Sequence, residues 1–232
     1  MIKHYIVNKT PKRVELKKKY LFREFEHILF NLKNSSLRFT EPFPPRYINS
    51  LYFDSSRYSS INESLSGDTK RIKTRLRWYG SLVPTNYPVL EKKYKTGQYS
   101  WKKLIKTRLE YCCNQKDWYS TFQSPLKYNI GLRDYLPKDQ NIPTSLVSYY
   151  RYYFETLDKK FRVTIDKKLN FFDQTLRLKP NFTFKRHLEN YFILEIKFDD
   201  FNCNRISQFT NEIAFHPERF SKYCESMCLN KN

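Results

Sequence analysis

Lys70–Gly80 reads KRIKTRLRWYG, with Arg71, Lys73, Arg75 and Arg77 on alternate positions and Ile72, Thr74, Leu76 and Trp78 between them. Alternation at period two predicts a β-strand with four cations on one face and apolar or β-branched side chains on the other. A helix would scatter both sets around its circumference. Like charges spaced about 7 Å along one face repel each other, more strongly where that face is enclosed and dry, so an anionic counterpart is implied. Considered alone, an edge strand carrying cations against aggregation accounts for the pattern equally well.

The rest of the chain repeats the pattern. Arg13–Tyr20 (RVELKKKY), Arg46–Asp54 (RYINSLYFD), Val89–Tyr94 (VLEKKY), Ser100–Leu104, Ser145–Phe154 (SLVSYYRYYF), Phe161–Asp166 (FRVTID) and Tyr191–Phe198 (YFILEIKF) all read as strands. Glu15/Lys17, Glu91/Lys93 and Glu195/Lys197 each set a carboxylate two residues before a cation on one face, in three separate strands. Thr96–Gly97–Gln98 reads as a hairpin turn, and Pro84 with Asn86 marks another. Leu21, Phe25, Ile28, Leu29 and Leu32 make a helical stripe over Leu21–Leu32. Pro217–Cys228 reads as a closing helix with Pro217 in its first turn and Lys222 off its apolar stripe. Ser55–Thr69 reads as a short helix or loop, and helical pieces are expected at Asp117–Phe122 and Ile130–Leu136.

The chain of 232 residues has a formal charge of +20 and only 4 Gly, without a linker or repeat, so one domain over residues 1–232 is expected. That charge implies a polyanionic partner. No stretch approaches the roughly 18 apolar residues of a membrane span and no signal peptide opens the chain, so a cytoplasmic location is expected. The 5 cysteines form no CxxC pair, which argues against a zinc ribbon or a disulfide framework, and the 4 histidines are scattered.

About eight strands with one apolar and one charged face satisfy both by closing into an antiparallel barrel, apolar faces packed outward under helices and charged faces inward. The predicted fold is α+β, and the interior is a tunnel lined by cations with a few carboxylates. Such a wall suits a linear polyphosphate, whose phosphates neutralise it. The carboxylates suit Mg²⁺ or Mn²⁺ bridging phosphate oxygens.

In that order the chain resembles the VTC polyphosphate polymerase domain of the triphosphate tunnel metalloenzymes, compact bacterial type. The resemblance rests on KYLF at Lys19–Phe22, SLYFD at Ser50–Asp54, KTRLRWYG at Lys73–Gly80, LEKK at Leu90–Lys93, Tyr149-x-Arg151, RVTID at Arg162–Asp166, LEIK at Leu194–Lys197 and FSKY at Phe220–Tyr223. It implies a metal-dependent phosphotransferase that moves the γ-phosphate of ATP onto inorganic polyphosphate. Arg75, Arg77, Lys93, Arg151, Arg162 and Lys222 would act on the transferring phosphates. Lys19, Lys73, Lys102, Lys197 and Tyr149 would bind substrate, and Glu195 would hold Mn²⁺ or Mg²⁺. Wider tunnel enzymes carry Glu-x-Glu-x-Lys where this chain has Glu15, Lys17 and Lys19, a departure that favours the polymerase branch and leaves one metal carboxylate fewer. A membrane partner protein is possible by the same resemblance, and nucleic acid is not an expected partner. Three other readings stand beside it: a tripolyphosphate or nucleoside triphosphate hydrolase of the same tunnel, a nucleic-acid-binding protein, and a polyphosphate-binding domain without turnover.

Overall fold

A computed structural model describes residues 8–9, 13–84, 88–106, 142–188, 190–199 and 203–229. The alternating stretches form strands: β1 (Asn8–Lys9), β2 (Arg13–Leu21), β3 (Phe39–Thr40), β4 (Arg46–Asp54), β5 (Lys70–Tyr79), β6 (Val89–Thr96), β7 (Tyr99–Lys106), β8 (Ile142–Thr156), β9 (Phe161–Asp173), β10 (Arg186–Leu188) and β11 (Tyr191–Phe198). The α-helices among the described residues are α1 (Phe25–Asn34), α2 (Ser59–Ser66), α3 (Cys203–Glu212) and α4 (Lys222–Leu229). The expected helical pieces at Asp117–Phe122 and Ile130–Leu136 lie outside the described residues, as does part of the turn at Pro84 and Asn86.

Eight strands close on themselves in the order β2-β7-β6-β5-β4-β8-β9-β11 and back to β2, every pairing antiparallel. Closure removes the edges that a cation-bearing edge strand would have had to protect, which settles the role of β5 in favour of an interior wall. Beside the eight pairs joining β2 to β11, the join between β2 and β7 is short, with Arg13 opposite Ser100 and Val14 opposite Tyr99, while β1 extends the same side of β7.

The outward faces are apolar. Val163, Ile165, Phe192, Leu194 and Ile196 are wholly buried beneath Phe25, Ile28 and Leu32 of α1 and Ile206 and Phe209 of α3. Leu51, Phe53, Leu76, Trp78, Leu90 and Ile105 form a second cluster on the β4–β7 side. A third runs along the opposite faces, where Ile48, Tyr52, Val147, Tyr149 and Ile193 meet Tyr223 and Met227 of α4.

Two helices begin later than the sequence suggests. β2 continues through Leu21 and a 3₁₀ turn over Phe22–Glu24 precedes α1, because the Glu24 carboxylate accepts the Leu21 N–H at 2.8 Å and the strand pairs with β11 up to that residue. Around Pro217 the chain is not helical, with Glu218 N–H bonded to the Lys17 carbonyl at 2.7 Å, and α4 starts only at Lys222. Ser221 caps it, its Oγ accepting the Cys224 N–H at 3.3 Å. At the end of α2, Gly67 takes φ +80° and lets the Arg219 guanidinium approach to 3.1 Å of where a Cβ would stand.

No helix among the described residues is long and apolar enough to cross a membrane.

Candidate active site

The barrel encloses a cavity of about 910 Å³. Of the residues expected to act there, Lys73, Arg75, Arg77, Lys93, Lys102, Tyr149, Arg151, Arg162, Glu195, Lys197 and Lys222 all line it. Lys19 does not: its ammonium stands 4.6 Å from the Tyr191 ring centroid, and Lys17, two residues earlier on β2, takes the place in the wall. Arg162 is at the rim, its side chain 43% exposed and held by Glu155.

The wall is organised around buried carboxylates. Glu91, on β6, is 3% exposed and receives Arg75 through Nε at 2.9 Å and Nη2 at 2.7 Å, Arg77 at 3.3 Å and Lys102 at 3.5 Å. Burial alone would raise its pKa, yet the two guanidiniums hold it far below the usual carboxylate range. Register sets this up, since Arg75 and Glu91 are Cα partners across β5 and β6.

Glu15 and Glu195 form the second group, with Lys17 between them at 2.7 Å from Glu15 and 3.4 Å from Glu195. Lys93 lies 2.7 Å from both Glu15 oxygens, and Lys197 pairs with Glu195 and reaches to 3.9 Å from Glu15. Both carboxyls are pulled well down against the opposing effect of burial, Glu15 by Lys17 and Lys93, Glu195 by Lys197 and Lys17. With Glu15 shared among three ammoniums, burial wins at Lys93 and takes its pKa to about 7.

Asp166, on β9 and fully buried, anchors the third. Arg151 grips it with Nε at 2.5 Å and Nη2 at 2.7 Å, and Lys222, the first residue of α4, reaches it at 2.6 Å. Tyr149 sits between this group and the Glu91 group: Arg77 Nη2 donates to its hydroxyl at 3.4 Å, and Arg151 and Lys222 lie 5.2 and 4.8 Å from its ring centroid. Burial would raise the Tyr149 pKa, but Arg151 and Arg77 bring it below the ordinary phenol value.

Lys73 has no carboxylate partner among the described residues. It donates to Ser221 Oγ at 2.8 Å, and burial lowers its pKa to about 8. It is the Cα partner of Lys93, which in turn faces Lys102, a row of three lysines across three strands. Like charges directly opposite destabilise a sheet. Counting the three groups and Lys73, nine cations face four carboxylates, an excess of five charges that a bound polyanion would neutralise.

The acidic partners Glu15, Glu91 and Asp166, and Lys17 and Ser221, were not among the expected site residues. The repeated Glu-x-Lys spacing signalled the first two. Nothing in the local sequence signals that Asp166 joins Arg151 to Lys222, since that contact needs β8, β9 and α4 together.

The described residues contain no cluster of three or more His, Cys, Asp or Glu side chains able to hold a metal alone. Glu15 and Glu195, linked through Lys17, fit a hard divalent ion when phosphate oxygens complete its sphere, as Mg²⁺ sites with one or two carboxylates do.

The sequence profile of the VTC domain matches residues 3–231. No curated protein matches the chain in sequence. Among solved structures, a candidate adenylate cyclase from Vibrio parahaemolyticus is similar at TM-score 0.51 and 12% identity, covering 93% of this chain and 98% of that one. A candidate adenylyl cyclase from Hippeastrum, described as having a dominant triphosphatase activity, is similar at TM-score 0.49 and 13% identity, over 93% of this chain and 95% of that one.

Proposed function

This chain belongs to the VTC domain family, and from that premise we propose that it is a polyphosphate polymerase that transfers the γ-phosphoryl group of ATP to a polyphosphate chain held in the barrel. The observation that carries the proposal is the excess of cations over carboxylates along one enclosed wall. A single phosphate would leave most of that excess unmatched, whereas a chain of them fits its length and sign.

In this reading Arg75, Arg77, Arg151 and Lys222 bind and orient the phosphates, each guanidinium fixed in direction by Glu91 or Asp166. An ionised terminal oxygen of the polyphosphate attacks the γ-phosphorus, a new P–O bond forms, and the bond to the β-phosphate oxygen breaks to release ADP. Charge spreads over the equatorial oxygens in the transition state, where preorganised donors stabilise it most. The attacking oxygen needs no general base. Glu195 with Glu15 would hold Mn²⁺ or Mg²⁺, which when bound neutralises phosphate oxygens and polarises phosphorus.

Incubation of the protein with ATP and Mn²⁺ or Mg²⁺ tests the proposal by product. ADP together with a polymer degraded by exopolyphosphatase is expected, and Arg75→Ala/Arg77→Ala should abolish it. ADP and orthophosphate without polymer would instead assign a hydrolase.

A further inference from the structure

Away from the barrel interior, residues 174–185 between β9 and β10 present Leu176, Leu178 and Phe184 to solvent at 99%, 83% and 73% exposure. These are not the frayed side chains of a loose loop. Gln174 and Asn181, both buried, clasp its base: Gln174 Nε2 donates to the Asn181 carbonyl at 2.7 Å, and the Asn181 N–H donates to Gln174 Oε1 at 2.8 Å. The Asn181 side chain also accepts the Thr183 and Phe184 N–H groups and donates to the Phe184 and Asp173 carbonyls. Phe182 turns inward onto the second core cluster.

The clasp therefore holds three large apolar side chains outward. Leu176 also has φ +54°, a left-handed backbone that a leucine adopts at a cost and that nothing it touches in the fold repays. Arg177, Lys179, Lys185 and Arg186 are exposed around the tips, and none pairs with a carboxylate among the described residues. Apolar tips within a ring of cations match a bilayer surface carrying anionic headgroups, into which leucine and phenylalanine insert while the cations stay at the phosphate level. A second copy of the chain is a poor occupant, because it would bring the same four cations to the contact.

We propose that this loop docks the protein peripherally on an anionic lipid bilayer. Co-sedimentation with vesicles of phosphatidylcholine alone, and of phosphatidylcholine with phosphatidylglycerol, tests it. The protein should bind only the anionic vesicles. Leu176→Ser/Leu178→Ser/Phe184→Ser, which keeps every charge, should weaken that binding about tenfold or more, and Arg177→Gln/Lys179→Gln/Lys185→Gln/Arg186→Gln by at least as much. All seven side chains stand in water, so the thermal transition of each variant should match the parent and show that folding is not the cause. Leu178→Trp should emit at shorter wavelength on anionic vesicles. The proposal is overturned if the parent ignores the vesicles, if the triple serine variant binds as the parent does, or if the tryptophan emission does not move. Binding of poly-glutamate that depends on the same three apolar side chains as strongly as vesicle binding does would also overturn it, in favour of an acidic protein partner.

Discussion

Asp166 is wholly buried and serves both Arg151, on β8, and Lys222, on α4, so one carboxylate ties the helix to the barrel wall. Removing one member of a buried ionic group leaves the others uncompensated and costs about 3–5 kcal/mol. Asp166→Ala is therefore expected to destabilise the free protein by about that much in a urea melt, with part of the loss recovered in tripolyphosphate, which supplies the missing negative charge. The lysines make the opposite kind of prediction. Lys93 titrates at about 7 and Lys73 and Lys102 at about 8, all depressed from 10.5 by burial, with neighbouring cations adding to the effect. Between those values and 10.5 the unfolded chain holds more protons than the folded one, so these three groups make the free protein more stable as pH rises through that window. Anion binding moves the other way, since a neutral lysine offers no charge to phosphate. Tripolyphosphate affinity should fall from pH 7 to pH 9 and binding should take up protons, which calorimetry in buffers of different ionisation enthalpy will detect; a pH-independent affinity with no proton uptake would show that the three lysines remain charged throughout.

The strands were legible at the scale of the element because each has one apolar face that must be covered, and alternation states which face that is. β4 matches its expected bounds, and β6 to β9 only lengthen beyond theirs. Helix starts were less legible. Pro217 suits a first turn, but the Glu218-to-Lys17 backbone bond ties that stretch to β2 and no helix forms there, and the cap is Ser221. Lys17 rather than Lys19 faces the cavity because the wall ends where Lys19 meets Tyr191, a limit set by the closure of the barrel and not by the strand's own alternation. What fixes α4 in place is also tertiary: the Tyr223 hydroxyl donates to Asp54 at 2.6 Å, and the same carboxylate accepts the Ser60 and Ile61 N–H groups that open α2. Tyr223→Phe removes the link that joins the two helices while preserving the ring stacked on Tyr52. It should cost about 1–3 kcal/mol by chemical denaturation, the range for losing one buried hydrogen bond to a carboxylate that keeps its other donors. Because α4 carries Lys222, tripolyphosphate affinity should drop as well; stability lost with affinity intact would mean that Lys222 is positioned by Asp166 alone.

For the molecule as a whole, the barrel is a compromise between an apolar exterior that drives closure and an interior whose cations oppose it. The outer clusters bury Phe, Ile, Leu and Val on the outward face of the barrel, and that burial must outweigh the repulsion within. A ligand that neutralises the wall removes the opposing term only in the folded state, and so stabilises by mass action. At a hundred times its dissociation constant, tripolyphosphate should add about 2.7 kcal/mol. For a chain of this size that is a rise of roughly 5–10 °C in melting temperature. Added salt should reduce the gain by competing for the same cations, more steeply for long polyphosphate than for tripolyphosphate, since the longer chain touches more of the wall. Arg75→Ala/Arg77→Ala should shrink the shift to a small fraction of the parent's, because it removes two guanidiniums and leaves Glu91 with Lys102 alone, turning a patch that attracts phosphate into one with no net charge. An equal shift in parent and variant would place the anion on the outer surface, where a charge of +20 offers other landing sites, and would separate net charge from the organised wall as the cause of binding.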